Sequence, residues 1–176
     1  MKKILILFIL PAVLVILSLF CFYISKKYIK KNYKHAEIIT SFDSTAKINS
    51  DGKLYECIIR HTSEQMNTLE ITQPKDLEGL MFIWEGGKCT VVWKNLTCEI
   101  NKEFLPQNAF AETIINILNL ISDENNLIFE SGNFEKSIFS GKAPCGNFKV
   151  TIDKIGKIKT ISVPDIKLEV EMISSK

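Results

Sequence analysis

With 176 residues, 22 of them basic and 20 acidic, the chain is close to neutral overall, at +2. The charge is unevenly spread: residues 1–34 hold seven lysines and no acid, which leaves residues 35–176 with 15 basic against 20 acidic side chains, or −5. An acidic domain lacks the basic footprint that nucleic-acid phosphates require, so nucleic acid is excluded as a partner.

Ile4 to Ile24 runs without a charge between Lys2-Lys3 and Lys26-Lys27. At about 1.5 Å per residue such a helix crosses a hydrocarbon core of about 30 Å. No small-x-small cleavage triplet follows it, and Phe20 stands where a lipoprotein signal needs a small residue before Cys21. The expectation is an uncleaved transmembrane anchor over residues 1–34, with the membrane as a partner through residues 4–24, and one domain over 35–176. The lysines after the helix favour a cytoplasmic C-terminus, whereas a short basic head before an apolar run is how export signals begin.

The domain reads mostly as strands. Phe42, Ser44, Ala46 and Ile48 alternate with polar neighbours, and Asp51-Gly52 turns the chain into Leu54–Arg60. A third strand, Thr68–Thr72, stops before Pro74. Leu80–Trp84, Cys89–Trp93 and Leu96–Ile100 follow, joined by turns at Gly86-Gly87 and Lys94-Asn95. Those turns set Trp84 opposite Cys89, Phe82 opposite Val91 and Leu80 opposite Trp93. They also set Trp93 opposite Leu96, Val91 opposite Cys98 and Cys89 opposite Ile100, all on one apolar face. Cys89 and Cys98 are then diagonal neighbours at about 7–8 Å. That is beyond the roughly 6.8 Å a disulfide spans, so this pair is not expected to bridge; four cysteines allow three full pairings, and a free, buried set is the expectation.

Asn108 is the expected cap of a helix over Ala109–Ile121, whose Phe110, Ile114, Ile117, Leu118 and Ile121 form an apolar stripe to cover that face. Strands resume at Leu127–Glu130, Phe134–Phe139, Phe148–Ile152, Lys157–Val163 and Ile166–Met172.

Leu69-Glu-Ile71-Thr-Gln-Pro74 with Leu77-Glu-Gly79-Leu-Met-Phe-Ile-Trp84, the helix near Asn108–Ile121, and Gly146-Asn-Phe148 opening a final hairpin resemble the lipoprotein-carrier (LolA/LolB/LppX-like) superfamily over residues 40–173. The resemblance is to a bacterial, Firmicute-type cell-envelope member carrying an N-terminal anchor. It implies an α+β fold, a curved, half-closed antiparallel sheet covered by helices and preceded here by the transmembrane helix. It also implies an extracytoplasmic location at the plasma membrane and a cavity for acyl chains. The cavity candidates are Leu80, Phe82, Trp84, Val91, Trp93, Phe110, Ile114 and Ile117. Arg60, the single arginine, aligns with no ligand-contacting basic residue of the family.

No catalytic or metal pattern emerges. His35 falls in the juxtamembrane linker and His61 at a strand end, without zinc-ligand spacing. Glu56, Glu70, Glu99 and Glu103 read as solvated strand surface. No cofactor and no enzymatic activity are expected. The sequence therefore favours an anchored protein that holds a lipid or acyl group in an apolar cavity. The competing account is an anchored interaction module with a closed core, its protein partner unspecified.

Overall fold

The alternation read from the sequence becomes eleven strands, all antiparallel to their neighbours. The computed structural model describes residues 18, 36–62, 66–101 and 109–175. The chain divides into two units, 1–34 and 35–176, and every strand belongs to the second.

A first meander contains β1 (Phe42–Ser50), β2 (Lys53–His61), β3 (Asn67–Gln73), β4 (Met81–Glu85), β5 (Lys88–Trp93) and β6 (Leu96–Asn101). After helix α1 (Phe110–Ile121), a second meander contains β7 (Ile128–Gly132), β8 (Lys136–Ala143), β9 (Gly146–Asp153), β10 (Ile158–Val163) and β11 (Leu168–Ser175). The meanders join where β1 pairs with β11, giving one sheet in the order β6-β5-β4-β3-β2-β1-β11-β10-β9-β8-β7.

The turns behave as their residues dictate. Asp51 and Gly52 both have positive φ, 48° and 83°, the twist that suits a two-residue hairpin. The registers of the β4–β6 meander match the sequence expectation, with Trp84 opposite Cys89, Phe82 opposite Val91, Val91 opposite Cys98 and Trp93 opposite Leu96.

One face of the sheet is the core. Ala46, Ile48, Cys57, Ile59, Leu69 and Ile71 on the first meander are buried, as are Val150, Ile152, Ile161, Val163, Leu168 and Val170 on the second. Eight of the twelve residues of α1 are buried as well, including Ile114, Ile115, Ile117, Leu118 and Ile121. A helix apolar on nearly every side must be surrounded. Seven strand spacings separate β4 from β8, roughly 34 Å in a flat sheet. Yet α1 packs against β8 and also bonds to Trp84 of β4, so the sheet bends around the helix.

The expected fold class needs correction. The fold is mostly β, one large sheet with a single α-helix among the described residues, and not an α+β sheet covered by helices. The apolar face is broad and curved enough for the sheet to wrap the helix. In addition, no described helix is long and apolar enough to cross a membrane. The twelve residues of α1 rise only about 18 Å, short of a hydrocarbon core. The expected span Ile4–Ile24 lies outside the described residues apart from Ser18, as do His35, Glu103 and the expected cap Asn108. The position before α1 is filled by Ala109, which has no side-chain cap bond.

Candidate functional site

A single row of cross-strand neighbours builds the site. Phe42, His61, Asn67, Trp84, Cys89 and Ile100 stand opposite one another in turn from β1 to β6, on the core face. A fully apolar row would seal against α1. Here His61 and Asn67 interrupt it, and both are 2% exposed.

Above this row lies a cleft of about 520 Å³. Its floor is His61, Asn67 and Trp84, and its helix wall is Ile115, Asn119 and Ser122. The Glu85–Lys88 turn forms the rim, and Thr40 and Thr62 close the remaining side. Gly86 and Gly87, at φ 56° and 82°, let this turn reverse in two residues, which keeps the rim low.

The polar groups of the floor are linked. The Thr40 carbonyl accepts from His61 Nδ1, so that nitrogen carries hydrogen. Asn119 Oδ1 lies 3.4 Å from His61 Nε2 and accepts from Asn67 Nδ2 at 3.4 Å. The His61 ring stacks on Phe42 with centroids 5.8 Å apart. Asn67 Oδ1 is buried without any hydrogen-bond partner, the kind of open valence that a bound group can fill.

Trp84 is the hinge between polar floor and apolar wall. Its indole N–H donates to Glu112 Oε2 at 2.7 Å, and both residues are buried, at 5% and 4% exposure. Its ring stacks on Phe82, centroids 5.8 Å apart. Phe82 is only half-buried, as are its opposite neighbour Val91 and the nearby Leu80. A half-exposed apolar strip therefore runs from the cleft along β4 and β5.

Of the cavity candidates named from the sequence, Trp84 lines the cleft, while Phe82, Val91 and Leu80 make the strip. Phe110 is half-buried and stacks on Tyr55 at 4.8 Å. Ile114 and Ile117 are fully buried in the core. Trp93 is half-buried, with Lys94 Nζ 4.5 Å from its ring centroid and its own Nε1 enclosed without a partner. His61, Asn67, Asn119 and Glu112 are not singled out by the sequence as site residues, because they come from two distant stretches of the chain, 61–67 and 112–119. Asn119 and Glu112 interrupt the apolar pattern of the helix, the one local signal that could have found them.

The four domain cysteines are free; Cys57 and Cys89 are buried, but Cys98 is exposed and Cys145 half-buried, which corrects the expectation of a wholly buried set. Burial pushes the Cys57 thiol up to about 12, aided by nearby Glu56. Burial likewise pushes Cys89 up to about 11, with Glu112 adding to it. Neither is an activated nucleophile. Arg60 lies 3.3 Å from Asp43 and 3.5 Å from Glu70 on the outer face, and Lys88 Nζ lies 2.7 Å from Glu99. Among the described residues no group of His, Cys, Asp and Glu could hold a metal ion.

No family model and no curated protein matches the chain. Solved structures resemble it at low identity. A LolA superfamily protein from Nitrosomonas europaea is 10% identical with a TM-score of 0.44, the match covering 77% of this chain and 85% of that one. An uncharacterized conserved protein from Thermus thermophilus is 12% identical with a TM-score of 0.49, the match covering 84% and 82%. One of them bears the superfamily name that the sequence resembles. Likenesses this distant carry no argument about what the chain binds.

Proposed function

We propose that the domain binds an amphipathic lipid, with the polar end in the cleft and the acyl part along Phe82, Val91 and Leu80. The observation that carries this reading is the continuity at Trp84, which lines the cleft and stacks on Phe82. Ligand sites of this size combine apolar walls with a few convergent polar groups. Each methylene removed from water along the strip contributes about 0.8 kcal/mol. An extracytoplasmic location for the domain is part of the proposal and rests on sequence reasoning alone.

A second reading keeps the protein as an interaction module. It is favoured by β6, an edge strand among the described residues with every residue but Ile100 exposed, which presents its outer side to a partner strand. Native mass spectrometry of the gently purified full chain separates the two. The lipid reading predicts a bound mass in the lipid range that organic extraction removes. A bare chain, together with no uptake from added lipid, contradicts it and leaves the edge-strand account.

A further inference from the structure

We infer that the open valence at Asn67 takes an alcohol hydroxyl, so that the ligand's polar end is an uncharged, hydroxyl-bearing head and not a carboxylate or phosphate. This rests on the lipid reading above and specifies the head group.

The cleft floor leaves one acceptor unmatched. Asn67 is 2% exposed, and its Oδ1 has no partner. Its amide nitrogen is already committed to Asn119. In this orientation an incoming group must donate a hydrogen, which neither a carboxylate nor a doubly ionised phosphate can do.

In the opposite amide orientation the exclusion of an anion rests on charge instead. Thr40 fixes hydrogen on His61 Nδ1, so a neutral ring would accept at Nε2. Asn119 would then turn its amide nitrogen toward the ring and toward Asn67, leaving an Asn67 N–H as the unmatched group of the cleft floor. A hydroxyl both donates and accepts, and so satisfies either arrangement.

An anion has no counter-charge in this place. Among the described residues the one lysine or arginine lining the cleft, Lys88, pairs with Glu99 at 2.7 Å, and Glu85 adds a negative charge to the rim. Burying an unpaired anion beside buried amides costs far more than burying an alcohol that is hydrogen-bonded.

The hydroxyl has two possible sources, the head of a glyceride and a free polyol. Titrating the purified full chain with 1-monooleoylglycerol, oleic acid and glycerol, and following indole emission, distinguishes them. Monooleoylglycerol should saturate the signal with an affinity at least about tenfold that of oleate. Glycerol alone should give no saturable shift. Asn67→Leu should bring the two lipids to within about twofold, because the discriminating group is gone.

Each other outcome decides as well. Oleate binding as tightly as monooleoylglycerol overturns the head-group inference and leaves the lipid reading standing. Saturation by glycerol without lipid binding keeps the hydroxyl site and removes the acyl strip. No response to any of the three overturns both. The wild-type comparison settles the matter even if Asn67→Leu fails to fold.

Discussion

The bond from the Trp84 indole to Glu112 fixes the wall shared by cleft and strip, and breaking it has a calculable cost. Both residues are nearly enclosed, and the N···O distance is 2.7 Å. A hydrogen bond to a charged group contributes roughly 1.5–3 kcal/mol, and a buried donor left alone costs roughly 1–3 kcal/mol. Glu112→Leu should therefore destabilise by about 2–4 kcal/mol, since it strands the indole N–H and removes the further contact Glu112 makes. Trp84→Phe deprives the carboxylate of this donor and also removes buried ring area. Because the two losses share one bond, the double variant should be less damaged than the sum, by about 1.5–3 kcal/mol. Urea unfolding of the four proteins, followed by far-UV circular dichroism, measures that coupling. A coupling below about 0.5 kcal/mol would refute the claim that this bond holds Trp84 in place.

Three further perturbations address other parts of the account. Gly156→Ala should destabilise the domain by about 2 kcal/mol or more and expose residues 36–41 to protease, because φ is +89° and the new Cβ would sit 1.9 Å from the Glu37 carbonyl oxygen. In native protein near pH 8, a thiol reagent should modify exposed Cys98 first and spare Cys57 and Cys89 until the chain unfolds. Their raised thiol values mean that the folded state holds these protons more tightly than the unfolded chain. That contribution is complete below the ordinary value of 9.0 and is lost as pH climbs toward about 11 and 12, so the urea midpoint should fall only above pH 9. Val91→Trp fills the strip beside Phe82 and should abolish lipid uptake; if Val91 instead packs in a solid interior, the variant loses roughly 1–3 kcal/mol and uptake was never there to lose.

Much of this architecture was legible because it is local. Gly86-Gly87 and Lys94-Asn95 are two-residue turns between alternating strands, and a fixed turn length sets every pairing after it, including Trp84 with Cys89 and Val91 with Cys98. The helix was legible from its apolar spacing, although its burial on so many sides was not. A stripe read as one face turned out to be part of a helix enclosed by the bent sheet. The pairing of β1 with β11, which joins the meanders, left no local mark. The cleft was hidden for the same reason. His61, Asn67 and Asn119 meet only after two strands pair and a helix crosses them, so His61 read as an ordinary strand end. Glu112 is a first-turn acid of the kind helices commonly carry, and its service to Trp84 appears only in three dimensions.

Photo-crosslinking tests the central claim most directly. A monoacylglycerol carrying a diazirine on its acyl chain would be bound to the full chain, irradiated, and the modified peptides sequenced. Binding along the cleft and strip predicts adducts concentrated at Leu80, Phe82, Val91 and Ile115, displaced by excess unlabelled lipid. Adducts spread over the outer face, at positions such as Lys47, Arg60 and Glu171, or insensitive to competitor, would contradict it.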